Sequence, residues 1–276
     1  MDPFQRHIAL WSLAPDGEPF ATASSHILFV RGPHGPAVLK VFKPPREEAR
    51  SSLALRHYGG HGAVPILAFD EEAVLTRRVN PGTALSDLVR AGRDDEATDI
   101  VCDVAASLHA PGVAAGTWPT VAQWGADFDE HQRSAQAHLL PSDLVEAARH
   151  GFFDLCRSQS EPVLLHGDLH HDNILHDERL GWLAIDPKGV VGEREYELGA
   201  ALRNPVGSPD LYTDPGVMRR RVQRMAARLG FDGGRVLRWC FAQAVLSALW
   251  CVQDGHDGAD VALEVARVSR DVMAKQ

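Results

Sequence analysis

The chain changes its hydrophobic periodicity once, at Asn80-Pro81-Gly82. That single switch restricts it to two unlike halves. Before the switch, short apolar runs alternate with Gly/Pro punctuation. Ile27-Leu28-Phe29-Val30 and Ala37-Val38-Leu39-Lys40-Val41-Phe42 flank Gly32-Pro33-His34-Gly35-Pro36, the pattern of an antiparallel hairpin. Pro44-Pro45 ends the second run, helix formers occupy residues 47–57, and Gly59-Gly60 closes that segment. Residues 64–69 and 73–79 read as a further strand pair around Asp70-Glu71-Glu72. After the switch the spacing becomes helical. Ile100, Val101, Val104, Ala105 and Leu108 share one face, and Leu237, Phe241, Val245, Leu249 and Val252 form a second stripe. The expected fold class is α+β and bilobal: residues 1–79 as an antiparallel sheet with one helix, residues 80–276 as a larger helical lobe.

Charge and cysteine usage narrow the function classes. The 276 residues carry 28 Lys+Arg against 37 Asp+Glu, a formal net charge of −9. A surface this acidic disfavours gripping a nucleic-acid backbone and suits a cationic small ligand. The beginning of the sequence shows no basic segment followed by an apolar core, and the longest apolar run, residues 244–252, is too short to span a bilayer. Cys102, Cys156, Cys240 and Cys251 are scattered without a C-x-x-C pair, as in a reducing compartment. The expectation is a cytoplasmic protein with no membrane partner. Arg219, Arg220, Arg221, Arg224 and Arg228, all within 217–229, read as a solvated helix face.

The chemistry lies between two short apolar runs, Val163-Leu164-Leu165 and Leu183-Ala184-Ile185, read as a strand pair presenting a polar loop. The loop, residues 166–175, runs His166-Gly167-Asp168-Leu169-His170-His171-Asp172-Asn173-Ile174-Leu175. Its Asp-to-Asn spacing of five matches the kinase catalytic loop H-R-D-L-x-x-x-N, with Gly167 in place of the Arg. Asp186 follows Asn173 by 13 residues at the end of an apolar run, inside the segment 183–189. Upstream, Val38-Leu39-Lys40 resembles the strand whose lysine pairs nucleotide phosphates. Phosphoryl transfer needs groups that position reactants and neutralise developing charge. Asp168 fits the base for a substrate hydroxyl, Asn173 and Asp186 fit oxygen ligands for Mg²⁺, and Lys40 offsets phosphate charge. A zinc site built from His166, His170, His171 and His176 would leave Lys40, Asn173 and Asp186 unexplained.

These residues resemble the aminoglycoside phosphotransferase family, protein-kinase-like enzymes, and in particular its streptomycin 6-phosphotransferase and hydroxyurea-resistance kinase branch. The narrower likeness rests on Ile185-Asp186-Pro187-Lys188-Gly189, Val191-Gly192-Glu193, Tyr196-Glu197-Leu198 and Leu202-Arg203-Asn204-Pro205. The resemblance implies an ATP- and Mg²⁺-dependent kinase acting on a hydroxyl of a small molecule, an aminoglycoside such as streptomycin. It implies Asp168 as catalytic base, Asn173 and Asp186 as metal ligands, and Lys40 with Glu48, Ser24, Ser25, Arg78 and Val79 around the nucleotide. The connector 76–81 would receive the adenine. Lys188 and Arg203 would lie near the phosphates or pair with Glu193 and Glu197.

Two departures from the family pattern stand out. The nucleotide-covering stretch Ala21-Thr22-Ala23-Ser24-Ser25-His26 has no glycine, and the partner glutamate of Lys40 falls among Glu47 and Glu48 rather than nearer Ala54. They keep open a nucleotide-binding pseudokinase that acts as an interaction module, beside a metabolic kinase for a sugar or amino alcohol. For a cationic acceptor, the candidate carboxylates are Asp127, Asp210 and Asp214, with Asp129, Glu130, Asp254 and Asp257 in reserve. Trp118 and Trp124 are candidates for the pocket wall.

Overall fold

The computed structural model describes residues 2–45, 49–113 and 116–275. Its amino-terminal part is an antiparallel sheet in the order Ala14–Pro15, Ser25–Gly32, Gly35–Phe42, Ala73–Arg77, Ile66–Phe69, with Phe20–Ala21 also paired to Ser25–Gly32. The expected hairpin is present: Ile27 faces Lys40 and Leu28 faces Leu39 across it. Alternation decides which side chains go inward. Leu28, Val30, Ala37, Leu39, Val41, Ala73 and Leu75 form a small core with Phe4 and Leu13 from the amino-terminal turn.

The helix Ala49–Tyr58 follows. It ends at Gly59 and Gly60, whose φ values of 57° and 85° are left-handed, the conformation that stops a helix at low cost in glycine. The inner face of this helix, Ala54, Leu55 and Tyr58, joins the core of the large lobe rather than that of the sheet. Val64 donates its N–H to Ala184 O (2.9 Å). The two lobes are therefore stitched together directly behind the cleft.

The large lobe is built on Gly233–Asp254, which packs against Ala259–Met273 and Ser142–Arg157. By length and composition this helix could cross a membrane, but 67% of its most apolar window is buried inside the protein. Leu237, Val245 and Leu249 are fully buried, as their spacing predicts for a core stripe.

Two expectations need correction. The runs at 163 and 183 do not pair with each other. Val163–Leu165 pairs with Val190–Gly192, and Gly181–Ala184 pairs with Ile174–Asp177, which in turn pairs with Pro81–Ala84. The polar loop thus bridges two small sheets, and each of its ends is fixed by its own ladder. The arginines of Pro215–Leu229 are not merely solvated either. Four of the five face the acids of Asp94–His109 in a ladder: Arg220 with Asp95, Arg221 with Asp94, Arg224 with Asp99, Arg228 with Asp103. Arg221 is 1% exposed and also donates to Ala201 O and Asn204 O.

Candidate active site

The loop is held by its own histidines. His166 is fully buried; its Nε2–H donates to Ile185 O (2.8 Å) and its Nδ1 accepts from the Asp168 N–H (3.2 Å). Those partners define the neutral tautomer. One imidazole thereby links the residue that carries Asp168 to the residue preceding Asp186. Lys188 N–H adds a second link, donating to His166 O (2.7 Å). His170 Nδ1 accepts from Asp172 N–H (3.2 Å) and caps the short 3₁₀ turn His171–Asn173. Within that turn Asn173 Nδ2 donates to Asp168 O (3.0 Å), and Ile185 N–H donates to Asn173 O (2.9 Å). Both ring nitrogens of His166 and Nδ1 of His170 are spent on this scaffolding, while the two ring nitrogens of His171 are buried without a hydrogen-bond partner.

Gly167 explains the missing arginine of the kinase pattern. Its φ is 81°, and a Cβ there would lie 2.9 Å from both Trp124 and Val190. Any side chain would displace the wall of the site. Asp186 is the other backbone exception, a non-glycine residue at φ 57°. Such a conformation is tolerated by Asp more readily than by most residues and is typical of functional positions.

Glu197 anchors the loop from beneath. Fully buried, it accepts the N–H groups of His166 (2.7 Å) and Gly167 (2.9 Å), and His109 Nε2 lies 3.5 Å away. Burial pushes its carboxyl up, but His109 and the loop amides more than offset this and hold it below the usual carboxylate range. Glu193 is equally buried and takes Arg235 Nη2 (2.6 Å) and Trp239 Nε1 (2.5 Å). Neither glutamate pairs with Lys188 or Arg203, the alternative the sequence suggested. Arg203 donates to Gln243 Oε1 (2.9 Å), and Lys188 lies in the cleft.

The cleft between the lobes has a volume of about 410 Å³. Ala23, Ser24, Lys40, Arg50, Asp186 and Lys188 are among its walls. Lys40 is 8% exposed and its Nζ donates to Asp186 Oδ1 (2.9 Å). The two residues, 146 apart in sequence, thus meet as the spacing argument requires.

Above them, residues 22–25 close on themselves. Thr22 N–H donates to Ser25 O (2.9 Å), Ser25 N–H to Thr22 Oγ1 (3.1 Å), and Lys43 Nζ to Thr22 O. Ser24 lines the cleft, whereas Ser25 is fully buried at the start of its strand. Glu48 lies outside the described residues.

In the connector, Arg77, Arg78 and Asn80 give their N–H groups to Pro65 O, Pro36 O and Asp177 Oδ2. Among the described residues Val79 N–H has no such partner. The Arg78 side chain turns away, over the Phe29 ring (4.2 Å to its centroid) and toward Asp16.

The acids proposed for a cationic acceptor are dispersed. Asp214 caps the helix Pro215–Leu229 by accepting Val217 N–H (2.8 Å), and Asp210 is exposed on the short helix Pro209–Tyr212. Asp129 pairs with Arg149, while Asp254 and Asp257 are exposed. Asp127 alone connects to the cleft, because its Oδ2 accepts Trp250 Nε1–H (2.6 Å) and Trp250 meets Trp124 edge-on at 6.0 Å. Trp124 lines the cleft. Trp118 abuts Gly189, where a Cβ would come within 2.9 Å of its ring. Gln243 and the Asp94–Arg221 pair carry no motif signal; Glu197 stands in the family stretch Tyr196-Glu197-Leu198, which does not disclose its hold on the loop amides.

A sheet lobe, a helical lobe, a cleft between them where Lys40 meets Asp186, and the Asp168–Asn173 loop tied by His166 to the residue before Asp186 are the arrangement of a small-molecule phosphotransferase of the protein-kinase-like fold. Comparison with known proteins makes this specific. The family model for aminoglycoside/hydroxyurea antibiotic resistance kinases matches residues 10–255, and the chain belongs to that family. It is 39% identical over 249 residues to a streptomycin 3''-kinase of Klebsiella pneumoniae, covering 89% of this chain and 91% of that one. A streptomycin 6-kinase of Streptomyces glaucescens is 30% identical over 265 residues (91% and 83%), and a hydroxyurea phosphotransferase of Kitasatospora aureofaciens 31% over 255 (89% and 71%). Among solved structures, a thermostable mutant of aminoglycoside phosphotransferase APH(4)-Ia, in ternary complex with AMP-PNP and hygromycin B, superposes with a TM-score of 0.67. Its sequence identity is 15%, with 99% and 98% of the two chains covered, a likeness of fold. The chain is an enzyme, a phosphotransferase with an alcohol group as acceptor.

Proposed function

We propose that the chain transfers the γ-phosphoryl group of ATP, with Mg²⁺, to a hydroxyl of a streptomycin-like aminoglycoside in the cytoplasm. The observation that supports this is the single frame formed by His166, which bonds to Asp168 N–H and to the O of Ile185, the residue before Asp186. In this reading Asp168, 33% exposed at its side chain, accepts or orients the proton of the acceptor hydroxyl. Lys40 neutralises charge on the nontransferred phosphates. Val79 N–H supplies the connector's donor to the adenine. Asp127, placed behind Trp250 and Trp124, is the acid best situated to meet a cationic acceptor; Asp210 and Asp214 are the weaker candidates.

The residues fit a small hard cation. Asn173 spends its side-chain N–H on Asp168 O and keeps its amide oxygen, and the Asp186 side chain is 46% exposed. Among the described residues no three His, Cys, Asp or Glu side chains gather into a closed metal cage. Such an open donor pair suits Mg²⁺, which retains waters and leans on substrate phosphates. Bound there, the ion would neutralise charge on the phosphoryl oxygens.

The higher identity to the 3''-kinase makes O-3'' the expected position on streptomycin. The test is ADP release with streptomycin, other aminoglycosides, hydroxyurea, choline and sugars, followed by mass and NMR analysis of the product. Turnover of streptomycin at O-3'' supports the proposal. Turnover confined to choline or sugars would replace it with a metabolic kinase, and ATP binding without turnover would replace it with a pseudokinase.

A further inference from the structure

We infer that Lys188 is a catalytic residue that grips the phosphoryl group during transfer, doing from the large lobe what a glycine-rich loop does from the small one. The inference rests on the kinase reading above. Its starting point is the turn at residues 22–25, where the N–H groups of Thr22 and Ser25 are consumed within the turn. Those two amides are not available to cradle phosphate, which leaves more of the neutralisation to side-chain cations. Lys40, Lys43, Arg50 and Lys188 line the cleft, against the single described carboxylate Asp186.

The four cations differ in what they are attached to. Lys40 lies in the strand Gly35–Phe42, Lys43 just after it, and Arg50 on the helix Ala49–Tyr58. Lys188 is attached to the catalytic loop. Its N–H donates to His166 O (2.7 Å), and its Cβ lies 3.4 Å from where a Cβ on Gly167, the residue before Asp168, would stand. Its side chain is exposed to the cleft and has no ion-pair partner among the described residues. A cation fixed to the base's own loop keeps its place relative to the acceptor oxygen. Stabilisation of the group in flight is worth most where the charge is held in place beforehand. The balance is simple: the bond from the bridging oxygen to γ-phosphorus breaks, the acceptor oxygen–phosphorus bond forms, and the hydroxyl proton leaves toward Asp168. Lys188 donates N–H bonds to the nonbridging oxygens and exchanges no proton.

Two measurements on the purified full chain test this: steady-state turnover of streptomycin, and binding of Mg-ADP with and without aluminium fluoride as a mimic of the group in transfer. Lys188→Ala should lower kcat about 10²–10³-fold, the range seen when one oxyanion donor is removed. Its affinity for ADP should stay within about threefold while the extra affinity conferred by aluminium fluoride is lost, and Lys188→Arg should recover part of both. The inference is overturned if Lys188→Ala keeps kcat near that of the wild type, or if ADP affinity falls in step with kcat while the thermal unfolding midpoint is unchanged. A wild type that binds no Mg-ADP overturns the kinase reading and this inference together. A wild type that binds and turns over while Lys188→Ala behaves identically overturns this inference alone.

Discussion

At the scale of single residues, the site divides into groups that face the cleft and groups that hold them. Asp168→Asn keeps the size and the backbone bond to His166 but removes the base, so kcat should fall about 10²–10⁴-fold with ADP affinity retained. Glu197→Gln acts differently. An amide N–H₂ would replace one of the two oxygens that accept the His166 and Gly167 amides, leaving a buried donor opposed to a donor at a cost of about 1–3 kcal/mol. Urea unfolding should show that loss, and kcat should fall with it as the loop loosens. His171 supplies a pH test. Burial first, then the nearby Arg221, lower its pKa from 6.5 to about 3. The unfolded chain therefore takes up a proton below pH 6.5 that the folded chain refuses. Stability from this group is complete above pH 6.5 and declines as pH falls toward 3, by about 1.4 kcal/mol per pH unit. His171→Leu should flatten that slope in unfolding experiments between pH 6.5 and 4. The cleft-facing residues were legible because chemistry fixes their type and spacing. Of their supports, His166 and Glu197 stood in recognisable motifs without any sign of what they bond, and nothing in the sequence says that Arg78 lies over Phe29 rather than toward a nucleotide.

At the scale of elements, periodicity located the hairpin and the core helix, but not which strands pair. Val163–Leu165 and Gly181–Ala184 are each three or four residues long, too short for their pattern to choose a partner, and the ladders that select Val190–Gly192 and Ile174–Asp177 are tertiary. The helix pair Asp94–His109 and Pro215–Leu229 is instructive in the opposite sense. Asp95, Asp99 and Asp103 recur every four residues, and so do Arg220, Arg224 and Arg228. Each stripe alone is an ordinary solvated face; their complementarity is visible only when both are read together. Within the ladder burial decides the energetics. Burial alone would raise the Asp94 carboxyl, but Arg221 and Arg220 hold it below the usual range. Removing Arg221 by Arg221→Met leaves the buried Asp94 with Arg220 as its one remaining arginine (3.2 Å) and takes the donor from Ala201 O and Asn204 O, so urea unfolding should show a loss of about 3 kcal/mol. Arg228→Ala breaks an exposed pair and should cost no more than about 1 kcal/mol.

At the scale of the whole molecule, the two-lobed architecture followed from the one change in periodicity, and the net charge of −9 acquires a partial explanation. Several acids pair with arginines between helices, Asp214 and Asp177 serve turns and caps, and Asp127 alone is tied to the aromatic wall of the cleft. The acid excess therefore does not gather around the cleft, whose described walls carry Lys40, Lys43, Arg50 and Lys188 against Asp186. Acceptor recognition then depends on a few placed groups more than on the overall field, and Asp127→Asn should raise the KM for a cationic acceptor with little effect on KM for ATP. Because the lobes are joined behind the cleft by Val64 and Ala184, a bound nucleotide should stabilise both together: Mg-ADP at a hundred times its Kd should add about 2.7 kcal/mol, read as one cooperative rise in the thermal midpoint. The most direct test of the central claim is ADP release by the full chain with Mg-ATP and streptomycin, wild type against Asp168→Asn. Steady turnover by the wild type, with a phosphorylated streptomycin as product and at least a hundredfold loss in Asp168→Asn, is the predicted result. Equal rates in the two proteins, or nucleotide binding with no phosphorylated product from any hydroxyl-bearing acceptor, would contradict it.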